Sequence, residues 1–187
     1  MIASMFFSVL LGAAPELPPE SLLRLPGSFE DQQGRRLQLP ELAGAPTILA
    51  MFYATCPRAC PQLIGSVKSL LGELSEEERA VIRVVLVSLD PEHDSPQVLA
   101  ATASARGLSA KTFTLLRSDP VSTRTLATAL GVRYRKSEGP SPDGAIEHSS
   151  KIVLLGRDGV MLASKDGAAD AAPLLSALRE LLHSKGP

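Results

Sequence analysis

The residues best suited to chemistry are the chain's two cysteines, Cys56 and Cys60, which lie four positions apart in the stretch YATCPRACP at 53–61. Two thiolates at this spacing can bind a soft metal ion together, or they can form a disulfide. On a regular helix, residues four apart have Cβ atoms about 5–6 Å apart, whereas a disulfide needs about 3.5–4.5 Å. A helical arrangement would therefore favour a bridging metal ion over direct oxidation.

Pro61 makes that arrangement less favourable, because a proline disfavours helical geometry at the preceding residue and suits the first position of a helix. We therefore expect the helix to begin at Pro61, with both cysteines in the loop before it, where a disulfide is feasible as well as a metal site. The positive end of the helix and the charge of Arg58 favour thiolate over thiol. Two structural cysteines that act only as small buried hydrophobic residues are the alternative without chemistry.

A third ligand beside two thiolates should be an imidazole or a thioether, because this soft donor set selects Cu(I) or Zn(II). The chain has three histidines and four methionines. His148 lies between a loop predicted at 136–145 and a predicted buried strand, from which it can approach the cysteine loop. His93 follows another predicted strand, at the end where α/β proteins place their sites. His183 falls in the last turn of the final predicted helix, where a surface role is expected.

Strand and helix patterns alternate along the chain, and these elements must position the candidate residues. Near-continuous apolar runs at 47–54 and 81–89 predict strands buried on both faces, and a shorter run predicts a strand at 112–116. Turn residues predict β-hairpins at 28–39 and around 156–159. Apolar spacing and capping residues predict helices at 61–74, 96–106, 120–130 and 171–183. This order predicts an α/β, thioredoxin-like fold, with a mixed central sheet flanked by helices and an N-terminal β-hairpin.

Length and composition are ordinary for a globular protein, since 187 residues predict one domain, and 44% are hydrophobic and 21% charged. Nineteen Lys+Arg against twenty Asp+Glu leave a formal charge of −1. This balance excludes the basic surface expected of a nucleic-acid-binding protein. Two cysteines are too few for a disulfide-rich scaffold or for a four-cysteine zinc site.

Residues 1–14 are apolar and uncharged. The run is shorter than the roughly 18 residues of a membrane span, but it matches the apolar part of a secretory signal. No Lys or Arg precedes it, and a packed N-terminus or a membrane anchor is the alternative. We predict an exported chain with a signal or anchor segment at 1–14, a Pro-rich tether at 15–27 and the thioredoxin-like domain at 28–187.

Three separated motifs of the chain are similar to motifs of one known family. The stretch at 53–61 resembles the signature Y-T-x-C-P-x-x-C-P, VSLDPEHDSP at 87–96 resembles V-S-x-D-P-x-x-D-T-P, and EHSS at 147–150 resembles a D-H-S strand entry. These are signatures of the Sco/SenC family of copper-binding, thioredoxin-fold proteins in cytochrome oxidase assembly. The chain differs from them at Ala54, where the family has Thr, and at Glu147, where Asp is common.

The resemblance implies that the predicted domain binds copper, as Cu(I) and also as Cu(II). Its ligands would be Cys56, Cys60 and His148. Asp90 would be a carboxylate near the site or facing a partner, and Tyr53 would pack at the end of a buried strand.

The implied function is that of a metallochaperone rather than an enzyme. It would deliver copper to the binuclear copper site of a cytochrome c oxidase subunit, in the periplasm or facing it and with a membrane tether as one arrangement. Other copper chaperones and thioredoxin-like reductants are further implied partners.

Two other functions would use the same residues. A thiol–disulfide oxidoreductase could keep the cysteines of the oxidase copper site reduced, and a copper or redox sensor could use the same ligands. Thioredoxin-type oxidoreductases resemble one another in Cys-x2-Cys spacing and in a cis-proline that faces the cysteines. Here the spacing is Cys-x3-Cys, and His148 and Ser149 occupy the corresponding strand entry. The sequence therefore favours metal binding.

Overall fold

The computed structural model describes residues 16–137, 146–167 and 171–184. Its strands are β1 (Phe29–Asp31), β2 (Arg36–Leu37), β3 (Thr47–Phe52), β4 (Arg83–Ser88), β5 (Phe113–Arg117), β6 (Tyr134–Lys136), β7 (Ile146–His148), β8 (Lys151–Leu155) and β9 (Met161–Asp166). Its α-helices are α1 (Ala59–Gly72), α2 (Glu76–Ala80), α3 (Pro96–Ala105), α4 (Pro120–Leu130) and α5 (Ala172–His183). Short 3-10 helices lie at Leu22–Arg24 and Leu39–Leu42.

Within the described residues, seven strands form one mixed sheet in the order β2-β1-β5-β4-β3-β8-β9, and β6 and β7 form a separate two-stranded ribbon. Strands β3, β4 and β5 are parallel, whereas β8 is antiparallel to β3. Strands β1 and β2 form the N-terminal hairpin. The predicted α/β, thioredoxin-like fold with a mixed sheet flanked by helices is thereby confirmed.

The centre of the sheet is the core of the molecule. All six residues of β3 are buried, as are the last five residues of β4. A strand in the middle of a sheet that is covered on both faces has no solvent-facing side, so its sequence is almost continuously apolar. This is why the apolar runs at 47–54 and 81–89 predict these two strands correctly.

The topology brings three chain segments to one edge of the sheet. Parallel strands β3 and β4 end at the same edge, where β3 leads into the cysteine loop and β4 into the loop before α3. Strand β8 runs antiparallel to β3 and therefore begins at that edge, a few residues after His148. The fold thus brings His148 to Cys56 and Cys60, although about 90 residues of chain separate them.

The start of α1 differs from the prediction. The helix begins at Ala59, two residues before Pro61, so Cys60 lies in its first turn and Cys56 in the preceding loop. Pro61 is tolerated there because the N–H groups of a first helical turn have no partner within the helix.

The β6–β7 ribbon is a second difference, because the sequence predicts only a loop from residue 136 onward. Tyr134 pairs with His148 in this ribbon, and Lys136 pairs with Ile146. The rest of the predicted loop, at 138–145, lies outside the described residues.

The segment predicted as a tether at 15–27 contacts the domain over part of its length. Leu23 is 3% exposed, and the backbone N–H of Leu22 donates a hydrogen bond of 3.0 Å to the carbonyl of Gly159. The predicted signal or anchor segment at 1–14 lies outside the described residues. In the part of the chain that the structure describes, no helix has the length and apolarity needed to cross a membrane.

Candidate metal centre

Cys56, Cys60 and His148 form one compact cluster, with their ligand atoms all within 4.8 Å of one another. Nε2 of His148 lies 3.9 Å from Sγ of Cys56 and 3.7 Å from Sγ of Cys60. Both cysteines are buried and His148 is half-buried, so the site opens toward solvent on the histidine side. The three residues singled out from the sequence are therefore brought together in the structure.

The turn between β3 and α1 provides a backbone N–H donor to each of the two sulfurs. The N–H of Cys60, in the first turn of α1, donates to Sγ of Cys56 at 3.2 Å. The N–H of Tyr53, just after β3, donates to Sγ of Cys60 at 3.4 Å. Donors at a helix N-terminus favour negative charge. The turn is consequently built to stabilise thiolate.

The two sulfurs differ in pKa. A hydrogen bond from the Cys60 thiol lowers the pKa of Cys56 to about 4, with help from His148 and backbone N–H groups and against the effect of burial. The same contact with Cys56, together with burial, raises the pKa of Cys60 above its ordinary value. At neutral pH the metal-free site therefore holds one thiolate, at Cys56, and one thiol, at Cys60, that donates to it.

The ribbon orients the imidazole of His148. Its Nδ1 lies 3.1 Å from the carbonyl oxygen of Ser149, which can accept a hydrogen bond from a proton carried on Nδ1, and its Nε2 faces the sulfurs, where it can bind a metal ion. Ser149 is held by Arg133, whose N–H donates to Oγ of Ser149 at 3.0 Å. The carbonyl of Arg133 in turn accepts from the N–H of Ser149 at 2.9 Å.

Tyr53 packs at the end of β3, as the sequence predicts, and it also contacts the site. Its ring meets the ring of His148 edge to face, with centroids 5.7 Å apart and planes at 77°. Burial raises the pKa of Tyr53 to about 12, so the phenol stays neutral beside the cysteines. A neutral ring in this position restricts the imidazole without adding charge.

The other candidate histidines lie outside this cluster. His93 is exposed, and its Nδ1 lies 2.8 Å from the carboxylate of Asp90, which raises the pKa of the imidazole. His183 is exposed on the last turn of α5, where its Nδ1 lies 2.7 Å from the carbonyl of Arg179. The surface role expected for His183 therefore agrees with the structure. The carboxylate of Asp90, predicted to lie near the site or to face a partner, forms a hydrogen bond and ion pair with His93.

Asp94 is a residue near the site that sequence reasoning missed. It is buried, and its Oδ2 accepts hydrogen bonds from the N–H of Ala54 at 3.1 Å and from the hydroxyl of Ser88 at 2.5 Å. Burial raises the pKa of this carboxyl group. The available signal was its place in the motif at 87–96, but a polar loop residue before a helix cap gives no indication of which way it points.

The donor set fits a small, soft metal ion. In planar three-coordination, an ion about 2.3 Å from a sulfur and about 2.0 Å from a nitrogen holds those two atoms about 3.7 Å apart. The two sulfur–nitrogen distances here are 3.9 and 3.7 Å. The cluster in the described residues contains three donor side chains, one fewer than a structural zinc site uses. Catalytic zinc sites also use three protein ligands, in some cases two cysteines and one histidine, so this donor set suits Cu(I) and Zn(II) alike.

The family model of SCO1/SenC matches residues 19–183. The chain belongs to this family. A curated relative, a "putative copper-binding protein" from Stutzerimonas stutzeri, is 29% identical over 129 residues, which cover 69% of this chain and 62% of that protein. The chain therefore matches less than two thirds of the length of that relative.

Solved structures of family members share the fold of this SCO1/SenC protein. Arabidopsis thaliana ScoI with copper bound superposes with a TM-score of 0.72 and 21% identity, covering 83% of this chain and 97% of the other. BsSco, described as a member of the Sco family of cytochrome c oxidase assembly proteins with a disulfide switch, gives a TM-score of 0.69 and 20% identity over 91% of this chain and 99% of the other.

Proposed function

We propose that this SCO1/SenC protein is a copper metallochaperone, which binds one Cu(I) through Cys56, Cys60 and His148 and delivers it to the binuclear copper site of a cytochrome c oxidase subunit. The observation that carries the proposal is the meeting of two thiol sulfurs and one imidazole nitrogen within 4.8 Å. Copper in the Arabidopsis relative and the oxidase-assembly role of BsSco support it.

Each residue of the cluster has a role in taking up copper, which is the cargo. Cys56 is already a thiolate at neutral pH, so it would be the first ligand, while Cys60 must lose its proton to become the second. His148 would close the site with Nε2, oriented by the carbonyl of Ser149. Three donors leave the ion's shell open to a ligand from the receiving protein, and the half-buried His148 is the ligand that this partner could replace first.

Export to the periplasm is part of the proposal. It is supported by the apolar segment at 1–14, and a retained segment would tether the domain to the membrane. Other copper chaperones as donors, and thioredoxin-like proteins as reductants of the cysteine pair, complete the proposed set of partners.

Anaerobic loading with Cu(I) tests the binding site. We expect one ion per chain, lost in Cys56→Ser and Cys60→Ser and bound at least about tenfold more weakly in His148→Ala. The chain supplies matched controls, since His93→Ala and His183→Ala remove its other two histidines and should leave the affinity unchanged. Wild-type affinity in His148→Ala would remove that residue from the site.

Delivery needs a separate test, in which the copper-loaded protein is mixed with the isolated, metal-free copper-binding subunit of an oxidase. We expect copper to appear in the subunit after the two proteins are separated. The transfer should be faster than the release of copper from the loaded chain to a Cu(I) chelator. Retention of all the copper by the loaded chain would leave it a copper-binding protein without this delivery role.

A thiol–disulfide oxidoreductase is the second candidate, favoured by the hydrogen bond between the Cys60 thiol and the Cys56 thiolate. Cys56 would attack a partner disulfide, form a mixed disulfide and release one partner thiolate; Cys60 would then displace the second, leaving an oxidised Cys56–Cys60 pair and a reduced partner. The two cysteines are only 2% and 0% exposed, which hinders such an attack. Reduction of a disulfide substrate that persists in His148→Ala would support this candidate, because this chemistry does not need the imidazole.

A further inference from the structure

We infer that Asp94 is a positioning residue of the metal centre, whose buried carboxylate holds the backbone of Ala54 and thereby fixes the turn that carries Cys56. The inference rests on the proposed copper binding and deepens it. Asp94 would act through the backbone and not as a ligand.

The contacts of Asp94 are buried and specific. The residue is 1% exposed, and a single oxygen, Oδ2, accepts both the N–H of Ala54 at 3.1 Å and the hydroxyl of Ser88 at 2.5 Å. These two hydrogen bonds restrict the Asp94 carboxylate. Movement that broke either of them would leave a buried polar group without a partner, which costs free energy.

The hydrogen bond to Ala54 lies just beyond the last hydrogen bond between the segments of β3 and β4. Pairing between β3 and β4 is followed by a hydrogen bond of 2.7 Å from the N–H of Leu89 to the carbonyl of Phe52. Ala54 lies two residues beyond Phe52, and its N–H donates to Asp94. Cys56 follows two residues later. The carboxylate therefore holds the cysteine turn where strand pairing no longer does.

Asp94 is itself anchored in a rigid part of the fold. Its N–H donates to the carbonyl of Asp90 at 2.9 Å. The next residue, Ser95, caps α3 by accepting from the N–H of Val98. Ser88, which holds the carboxylate from the other side, is the last residue of β4. The carboxylate is thus fixed between the end of a central strand and the start of a helix.

Release of this turn should weaken copper binding, because the turn would have to be ordered each time the ion binds. Residues that support metal ligands typically change affinity by about 10–100-fold when they are mutated. We therefore expect Asp94→Ala to lower the Cu(I) affinity about tenfold or more, with the stoichiometry still one ion per chain.

Two further variants separate positioning from general support of the fold. Asp94→Asn keeps an oxygen that can accept from Ala54, so its Cu(I) affinity should stay within about threefold of wild type. Ser88→Ala removes the other hydrogen bond to the carboxylate and the acceptor of the Asp90 N–H, but leaves the bond to Ala54 in place. It should lower the melting temperature and weaken Cu(I) binding less than Asp94→Ala does, because Ser88 holds the carboxylate but does not contact Ala54.

The experiment measures Cu(I) affinity anaerobically, by competition with a chromophoric chelator, in the full chain and in the three variants. Thermal unfolding is recorded on the same samples, and the Cu(II)–thiolate absorption band is recorded on parallel samples loaded with Cu(II). We expect the affinity and the band to change in Asp94→Ala and to return in Asp94→Asn. In Ser88→Ala we expect a lower melting temperature, with a smaller loss of affinity than in Asp94→Ala.

A folded Asp94→Ala variant with wild-type affinity would overturn the inference, as would an equal loss of affinity in Ser88→Ala. If Asp94→Ala does not fold, Asp94→Asn decides: wild-type affinity supports the inference, and a tenfold loss overturns it. A wild-type chain that binds no Cu(I) would reject the proposed function itself. If the wild-type chain binds Cu(I) and Asp94→Ala binds it with the same affinity, only the role of Asp94 is rejected.

Discussion

Cys56 and Cys60 differ in protonation because each is the other's hydrogen-bond partner. Acid titration of the reduced, metal-free protein should show the ultraviolet absorption of one thiolate, lost as the pH falls through about 4, the pKa of Cys56. Cys60→Ala removes the strongest cause of this low pKa, so the midpoint should rise by about one unit or more. His93→Ala should leave it unchanged. A wild-type midpoint near the ordinary value of 9.0 would contradict the assignment.

The same difference predicts how many protons copper displaces. Near neutral pH, Cu(I) binding should release about one proton from the cysteine pair, because Cys56 is already ionised and Cys60 is not. Calorimetry in buffers with different ionisation enthalpies counts the protons. Release of two near neutral pH would show that the metal-free site holds two thiols.

Sequence reasoning could reach the ligands but not the residue behind them. The cysteine spacing left metal and disulfide chemistry open, and only the resemblance to a family motif singled out His148 over His93. Asp94 could not be found, because its role depends on a hydrogen bond to Ala54 across 40 residues of chain. A buried carboxylate in a loop looks the same in sequence as an exposed one.

The β6–β7 ribbon sets the position of His148. The sequence does not predict this ribbon, and the reason is physical. Two of the three residues of β6 are exposed, and the strand is charged and short, so it lacks the apolar alternation that identifies half-buried strands. The central strands were predicted because burial on both faces leaves an unbroken apolar run. Polar elements at the surface are held by specific contacts, which composition does not reveal.

Ser149 provides the contact that can be tested in this ribbon. Ser149→Ala removes the acceptor of the Arg133 N–H and should lower the free energy of unfolding by about 0.5–1.5 kcal/mol. It should also weaken Cu(I) binding severalfold, since the carbonyl that orients His148 belongs to the same residue. Glu147→Gln is the control, because it breaks only the exposed ion pair with Arg135 and should change stability by less than about 1 kcal/mol. Equal effects of the two substitutions would show that Ser149 has no special role.

The N-terminal boundary of the domain is a property of the whole molecule. The sequence patterns predict that the domain begins at residue 28. A Pro-rich segment predicts a tether, yet Leu23 within it is buried. A chain that begins at Ser28 should therefore be less stable than one that begins at Glu16, by about 1.5–3 kcal/mol, the contribution of one buried leucine side chain. Chemical denaturation of the two chains measures this difference. Equal stability would restore the boundary at residue 28.

Gly159 allows the same contact to be tested from the domain side. A Cβ on Gly159 would lie 2.4 Å from Cγ of Leu23, at a φ of +78°, whereas Gly34 has nearly the same φ, +77°, and open space around it. Gly34→Ala therefore measures backbone strain alone, and Gly159→Ala measures strain together with the clash. In the chain that begins at Ser28, the loss of stability in Gly159→Ala should fall to that of Gly34→Ala, because the segment it clashes with is gone. An unchanged loss would mean that the segment does not rest on Gly159.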